Sequence, residues 1–407
     1  MTDDTTASRE ERRILWWMCV LIAVNQLGFG SVIPVLPLYA QSFGVSQSAI
    51  GATVAIYGLG RFLVAMPSGQ LCDSLGRRPA LALGGVVSGI GNLGCGLSAS
   101  FEELVIARLV AGAGAGMVIT AGAVILADIT TPARRGRTMA IYHGTFLFAV
   151  GIGPLPGGLI AEQFGLSAPF LAYAVASLGV TLLAWFAVHE TRGQRGLSAG
   201  ARGTPRLALL QRLRVLLAVP GFLLVGMIML MNAVARTGAL FNIIPVLAQE
   251  RLSLAASRIG FGLFLGSIAG ILVTYPSGML VDRFGRKPVI VPAAIATGLS
   301  MGLFAWAPDF AWFLVACLVW GCAINIGGAA PAAYAADSAP PGMNATAMST
   351  FRMLGDLGYM VGPVALGAVA DHQGAETALW LAATGLVLSG LAFARWAPET
   401  WRGPRSG

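Results

Sequence analysis

Charged residues are scarce in this sequence, and that scarcity restricts its class more than any other property. Only 11% of the 407 residues are Asp, Glu, Lys or Arg, whereas 56% are apolar. Soluble domains devote about 25% of their residues to charge. The composition therefore excludes an ordinary globular protein and predicts an all-α chain that crosses a membrane many times.

Lysine is almost absent, because Lys287 is the only one and the other 25 bases are arginines. The net charge of +8 is compatible with nucleic acid binding or with a biased membrane topology, depending on where the bases lie. The placement of the bases, described below, favours a biased membrane topology as the explanation of the charge and predicts no nucleic acid partner.

Groups that would support catalysis or metal binding are also missing. No His/Cys/Asp cluster has catalytic spacing, and the cysteines lack paired metal-ligand spacing; they are Cys19, Cys72, Cys95, Cys317 and Cys322. We found no nucleotide-binding or cofactor motif, and no secretory signal peptide is evident. The sequence predicts neither an enzyme nor a bound metal or cofactor, and it favours an ion gradient as the energy source.

Twelve apolar runs are long enough to span a bilayer, which requires about 20 residues each. They cover residues 14–40, 48–70, 80–98, 104–127, 138–161, 167–188, 217–247, 257–281, 288–306, 310–336, 344–370 and 377–397. Residues 189–216 are rich in Gly, Ser and Arg. We therefore predict a six-helix bundle at 1–188, a cytoplasmic linker at 189–216 and a second six-helix bundle at 217–407.

A polar hairpin occurs twice, at 67–79 and 276–288, with the same offset of 209 residues between Asp73 and Asp282. The offset also aligns Asp128 with Asp337 and the Gly-Pro pair at 153–154 with the pair at 362–363. A repeat of this length indicates two halves built from one unit. The shared direction of the two copies predicts six helices in each half.

The bases are distributed unequally between alternate loops. Nineteen fall on the side that holds both termini and both hairpins, whereas Arg251 and Arg258 alone fall on the other. Because Lys and Arg are enriched in cytoplasmic loops, both termini are predicted to be cytoplasmic. We expect a multi-pass protein of a bacterial inner or plasma membrane.

With twelve helices, a six-plus-six repeat and a Gly-x-Leu-x-Asp-x-x-Gly-Arg-Arg hairpin after the second run, the chain resembles the major facilitator superfamily of secondary transporters. Residues 108–114 look like the family's Arg-x-x-x-Gly-x-Gly motif. Residues 27–37 are similar to the first-helix motif of its twelve-helix drug:proton antiporters. That branch often carries an acid in helix one, where this chain has Asn25 and Gln26.

The fifth run contains a further feature of that branch, a Gly-Pro-x-x-Gly-Gly signature of antiporters. Small residues allow helices to approach closely, and proline loosens the backbone pairing. The signature therefore predicts a bend in this helix at the interface between the halves, with ordinary small-residue packing as the alternative. Its residues are Gly151, Gly153, Pro154, Gly157 and Gly158.

The resemblance implies that each hairpin is part of a cytoplasmic gate, in which charge pairs hold that side shut. Charge pairs commonly bias interfaces between two states, and the alternative is that the arginines only fix topology. The predicted gate residues comprise Gly69, Asp73, Gly76, Arg77, Arg78 and Asp128, with Asp282, Gly285, Arg286, Lys287 and Asp337 in the second half.

Asp356 is the only carboxylate deep inside an apolar run, about 18 Å from a helix start near residue 344. Arg352 lies one turn earlier on the same face. The pair is either a neutralising ion pair or a proton site whose affinity depends on Arg352. The predicted proton-coupling residues are Asp356, Arg352 and Arg108, and the role of Arg108 is implied by the family resemblance.

Arg61 and Arg236 also lie inside apolar runs, where a charge costs about 2.5–3.5 kcal/mol and is expected to face a cavity or a partner. With Asn25 and Gln26 they form our predicted substrate cavity, at the midplane between the two halves. Deep cations favour anionic or amphiphilic substrates, although contacts with polar neighbours would equally explain them.

These observations together predict a monomeric, proton-coupled exporter of small organic molecules or drugs that works by alternating access. Its expected partners are the substrate, protons and membrane lipids. Uptake or facilitated passage of an anionic metabolite is the first alternative, and translocation of a lipid or lysolipid is another. A membrane sensor that transports nothing is the least favoured alternative, because the sequence shows no soluble output domain.

Overall fold

A computed structural model describes residues 2–130, 132–188, 190, 214–328, 330–340 and 343–400. Within these ranges the chain is helical and twelve helices are long and apolar enough to cross a membrane, which confirms the all-α prediction. The predicted linker at 189–216 lies mostly outside the described residues. The three domain boundaries stay a prediction.

We label the twelve spanning helices in chain order, including three that are interrupted. In the first half they are α1 Thr2–Val32, α2 Gln47–Leu75, α3 Arg77–Leu97, α4 Phe101–Ile129, α5 Pro132–Ile152 continuing as Pro154–Phe164, and α6 Ala168–Ala187. In the second half they are α7 Pro220–Val234 continuing through Ala235–Ile243 to Ile244–Leu252, α8 Ala256–Phe284, α9 Lys287–Trp306, α10 Phe310–Ile326 with Ala330–Asp337, α11 Asn344–Gln373 and α12 Ala375–Trp396.

The repeated Ile-Pro-Val-Leu sequence is accommodated differently in the two halves. Proline lacks an N–H and its ring clashes with the carbonyl four residues earlier. In the first half α1 ends at Val32, and a short helix, Leu36–Gln41, follows a turn. In the second half α7 stays continuous because Ala235–Ile243 adopts the wider π-helix just before Pro245. The predicted single run at 14–40 is therefore two helices.

The chain divides into two compact units. Unit 1 contains residues 1–44 and 56–202, and unit 2 contains residues 45–55 and 203–407. The core of unit 1 joins apolar side chains of α1, α3, α4, α5 and α6, including Leu21, Leu81 and Ile125. The core of unit 2 is centred on α7, α9, α10 and α12, with Phe222, Tyr334 and Phe393 fully buried.

Candidate functional site

The first hairpin, between α2 and α3, contains a buried ion-pair cluster in unit 1. The side chain of Arg77 is only 2% exposed. Its Nε donates to Asp128 Oδ2 at 2.8 Å, and its Nη1 lies 3.3 Å from Asp73 Oδ1. The same nitrogen donates to the Cys72 carbonyl at 2.9 Å. The predicted pairing of the hairpin with Asp128 is therefore formed.

Glu190, just after α6, completes this cluster by capping α3. Its Oε1 accepts from the backbone N–H of Arg77 at 3.0 Å, and its Oε2 accepts from that of Arg78 at 3.2 Å. The first N–H groups of a helix have no partner within the helix. Gly76, with a φ of 104°, cannot cap them with a side chain, so a carboxylate from the end of another helix does so.

The second hairpin, between α8 and α9, repeats the arrangement in unit 2. Arg286 Nε donates to Asp337 Oδ2 at 3.1 Å. Glu399 accepts from the backbone N–H groups of Arg286 and Lys287 at 3.2 and 2.9 Å. This cluster is more exposed, since the side chains of Arg286 and Asp337 are 19% and 37% accessible. The side chain of Asp282 lies outside the described part of the structure.

Within the described ranges, two predicted gate residues, Gly69 and Arg78, take no part in the ion pairs of the first hairpin. Among the described residues, no atom lies within 4 Å of a Cβ built at Gly69, so this glycine is not required for close packing of α2. Arg78 lies over the Trp185 ring, 4.7 Å from its centroid, and forms no ion pair with the residues that the structure describes. Whether the hairpins gate transport stays a prediction.

Our sequence interpretation missed Glu190 and Glu399, although the signal was present. They are 209 residues apart, and each precedes a threonine, Thr191 or Thr400. The first lies in the predicted linker, and the second lies beyond the last predicted apolar run, within the predicted second bundle. Their place just beyond α6 and α12 shows that the repeat continues past the last helix of each half.

Replacing Glu190 with alanine should destabilise the first half by about 1 kcal/mol, as loss of a helix cap does. Thermal unfolding of the purified protein measures this effect. Glu102→Ala is the matched control, because Glu102 is an exposed acid in the first turn of α4 and accepts no hydrogen bond among the described residues. Equal melting temperatures for the two variants would show that the cap contributes nothing.

Arg108, from the Arg-x-x-x-Gly-x-Gly motif, is buried in unit 1 with 1% of its surface exposed. Its guanidinium lies over the ring of Tyr57, 4.2 Å from the centroid, and Phe29 stacks on the same ring with centroids 5.3 Å apart. A cation over an aromatic face is stabilised by the ring quadrupole, more strongly when it is desolvated. The aromatic pair therefore helps to hold this cation within the span.

The predicted cavity residues fall into two different environments. Asn25 and Gln26 are 0% and 3% exposed, and neither amide atom of Asn25 has a hydrogen-bond partner among the described residues. Arg61 is half-buried, whereas Arg236 is exposed at the start of the π-helical segment. The 211-residue offset of the first and seventh helices places Arg236 at the position of Asn25. The structure therefore does not place Asn25 or Gln26 on an open surface.

Asp356 and Arg352 both lie on an exposed face of α11 in unit 2. No ion pair joins them among the described residues, so the neutralising pair considered from the sequence is not formed. Their neighbours on the helix are also exposed, including Met353, Leu357 and Val361, each at 49%. This face combines an acid, a base and flexible apolar side chains within one membrane-spanning helix.

The Gly-Pro signature brings α5 and α1 together within unit 1. A Cβ at Gly153 would lie 2.6 Å from the Cα of Gly30, and one at Gly157 would overlap the carbonyl oxygen of Ser31. The helix is interrupted at Gly153, between Ile152 and Pro154. The close packing considered as the alternative is present within unit 1, and the bend stays a prediction. Gly151 and Gly158 are also buried.

Among the described residues, no three His, Cys, Asp or Glu side chains lie close enough together to hold a metal ion.

The family model of the Major Facilitator Superfamily matches residues 18–358 and 227–406. The inner membrane transport protein YajR of Escherichia coli K12 is 25% identical over 359 residues, covering 86% of this chain and 76% of the relative. A class C tetracycline resistance protein of Escherichia coli is 29% identical over 290 residues, covering 70% of this chain and 72% of that relative. The crystal structure of a D-xylose-proton symporter has a TM-score of 0.73 at 18% identity, covering 95% of this chain and 99% of that one.

Proposed function

The chain belongs to the Major Facilitator Superfamily, and from that premise we propose that it exports small organic molecules in exchange for protons. It is a multi-pass membrane transporter and not an enzyme. The finer proposal includes a bacterial inner membrane with both termini in the cytoplasm, a monomeric chain and no bound cofactor. The arginine bias supports the orientation.

The observation that carries proton coupling is the exposed carboxylate of Asp356 in the span of α11. A charged side chain in contact with hydrocarbon costs about 2.5–3.5 kcal/mol, so such residues face water or a partner. Since Asp356 forms no ion pair with Arg352, its charge is neutralised most directly by a proton. Binding a proton would let this face enter a drier environment, and losing it would return the face to water.

The same face supports a site for varied organic molecules. Arg352 offers a cation, and Met353, Leu357 and Met360 offer flexible or apolar surface on the same helix. Unbranched methionine side chains adapt to differently shaped partners. The face therefore suits amphiphilic substrates better than a single rigid metabolite.

Two features support export as the direction. The Gly-Pro signature of antiporters coincides with a real interruption of α5 and with close α1–α5 packing. In addition, a relative that covers 70% of this chain is a tetracycline resistance protein. The buried Arg77 cluster and its weaker copy at Arg286 supply charge pairs of the kind that hold one side of a transporter shut.

Uptake of an organic anion is the second candidate, and the arginines favour it. Arg236 and Arg352 are exposed on spanning helices of unit 2, where each would attract a negative group strongly because the surroundings are apolar. A structural relative of the same fold is a proton symporter, so the fold itself does not fix the direction.

Expression in a pump-deficient bacterial host tests the export proposal. We expect the protein to raise the inhibitory concentration of at least one compound from a panel of cationic, zwitterionic and anionic drugs. A proton uncoupler should remove this protection, because the exchange would lose its energy source. Cells that carry the empty vector provide the control.

The alternatives predict different results in the same host. Resistance that persists with the uncoupler would contradict proton coupling while leaving export in place. Increased sensitivity confined to anionic compounds would identify uptake and overturn export. No response to any compound would also contradict the export proposal.

A further inference from the structure

A base and an acid lie side by side at the end of unit 2 that is opposite to its hairpin. Arg251, in the last turn of α7, reaches the ends of two other helices. Its Nη1 donates to the Ala305 carbonyl of α9 at 2.6 Å and to Glu376 Oε1 of α12 at 2.8 Å. The side chains of Arg251 and Glu376 are 37% and 57% exposed. Both charges are therefore accessible to molecules that surround the protein.

Each member of this pair has further hydrogen-bonding groups. A guanidinium carries five N–H donors, and among the described residues only those of Arg251 Nη1 have acceptors. In the same part of the chain, Glu376 Oε2 accepts no hydrogen bond. Hydrogen bonds are strongest when donor and acceptor are ionised. The remaining Arg251 donors thus suit a phosphate, and the second oxygen of Glu376 suits an ammonium group.

Exposed tryptophans mark this end of unit 2 as the level of the lipid headgroups. Trp306 ends α9 and packs edge-on against Trp312, with ring centroids 5.0 Å apart. A Cβ at Gly302 would lie 2.8 Å from Trp380 Cζ3, so the Trp380 ring rests against α9. All three rings are exposed. Tryptophans are enriched at both membrane–water interfaces, where their amphipathic rings lie at headgroup level.

The charged pair lies among these rings and beside an apolar recess. Ala305, which accepts from Arg251, directly precedes Trp306. Trp380 follows Glu376 by one turn of α12, on the same face of the helix. The apolar side chains that line the recess next to Arg251 are Ile244, Leu247, Ala248, Phe304, Ala307 and Phe313.

The corresponding positions of the first half lack this arrangement. Either repeat offset, 211 or 209, gives Arg251 a neutral counterpart, Ala40 or Ser42. The counterparts of Trp306, Trp312, Glu376 and Trp380 at the offset of 209 are Leu97, Glu103, Ser167 and Leu171. A six-helix bundle of this repeat therefore does not require the pair or the three rings, which indicates a purpose of their own in the second half.

We propose that Arg251 and Glu376 bind the headgroup of a zwitterionic phospholipid with a primary ammonium group, such as phosphatidylethanolamine. Arg251 donates to the phosphate, and the ammonium group donates to Glu376. An anionic headgroup without an ammonium group would be repelled by Glu376, and a trimethylammonium group has no N–H to donate. Trp306 and Trp380 flank the headgroup, and the recess offers apolar surface to the chain below it. The site depends on neither the transported substrate nor the energy source.

Native mass spectrometry of the full-length protein in detergent tests the site with three phospholipids of identical chains. Their headgroups are ethanolamine, choline and glycerol. We expect the tightest site of the wild type to prefer the ethanolamine lipid, on the order of tenfold for hydrogen bonds between charged groups. Glu376→Gln should remove most of the preference over choline, because the amide lacks the charge that attracts the ammonium. Arg251→Gln should weaken all three lipids, because all three carry the phosphate.

Arg258→Gln is the matched control. Arg258 is an exposed base at the same end of unit 2 and lies over the Phe310 ring, 5.8 Å from its centroid. Its replacement should change neither the affinity nor the preference. Glycerophosphoethanolamine, which has the headgroup without the chains, should not displace the lipid at equal concentration. Displacement at equal concentration would show a site for the free headgroup and contradict a lipid site.

Equal affinities of the wild type for the three lipids would overturn the proposal, as would an ethanolamine preference that survives Glu376→Gln. Thermal unfolding gives a second measurement, because a ligand that binds only the folded state stabilises it. The ethanolamine lipid should raise the melting temperature of the wild type more than the choline lipid does, and Glu376→Gln should respond equally to both. Since Glu376 is exposed, this variant decides the matter even if Arg251→Gln fails to fold.

Discussion

Replacing Arg77 with alanine is expected to lower the free energy of unfolding by about 3–5 kcal/mol, the range for breaking a buried ion pair on one side only. Arg77 is 2% exposed and Asp128 is 8% exposed, so the carboxylate would remain buried without its cation. The carbonyl of Cys72 would lose a donor as well. Chemical or thermal unfolding in detergent measures the loss.

Arg286→Ala is the internal control, because the repeat gives Arg286 an ion pair with Asp337, the counterpart of Asp128, in a more exposed setting. Its ion pair with Asp337 is 19% and 37% accessible, and pairs of that kind contribute about 1 kcal/mol or less. The difference in the loss of unfolding free energy between the two variants separates the effect of burial from that of the shared sequence motif. Equal losses would contradict the idea that burial makes the first cluster the stronger one.

Asp356→Asn is expected to reduce transport driven by a pH gradient by about tenfold or more, since asparagine cannot carry a proton at this position. The assay uses proteoliposomes with an imposed pH gradient and a substrate identified in the susceptibility screen. The amide has nearly the same size as the carboxylic acid, so the exposed face of α11 should keep its shape.

Exchange of labelled for unlabelled substrate without a gradient separates coupling from folding. We expect Asp356→Asn to retain this exchange, and Asp356→Glu to retain part of the gradient-driven transport. Unchanged gradient-driven transport in Asp356→Asn would remove Asp356 from the coupling mechanism. Loss of both activities would instead assign it to substrate binding or to structure.

The sequence was informative wherever a pattern is repeated. Twelve apolar runs predicted the twelve spanning helices, and the offset of 209 residues predicted that Asp128 and Asp337 meet equivalent arginines, which the ion pairs confirm. Both inferences work because hydrophobic length and internal repetition are properties of the chain itself. They need no knowledge of which side chains face each other.

Burial and pairing could not be obtained in this way. The local motifs around Arg77 and Arg286 are nearly identical, so they do not predict that Arg77 is the more buried; the difference comes from the surrounding helices. Glu190 and Glu399 were missed because each lies beyond the last apolar residue of its half, where hydropathy no longer marks the repeat.

The proline turn shared by the first and seventh helices has a mechanical consequence. Beyond Val32 the first helix gives way to a turn, so the segment Leu36–Gln41 can tilt while the spanning part of α1 stays in place. The seventh helix has no such turn, since its α-helical and π-helical segments follow one another without a gap from Pro220 to Leu252. Movement of the segment that follows the proline is therefore separable from the spanning helix in the first half, whereas in the second half it is passed along one continuous helix.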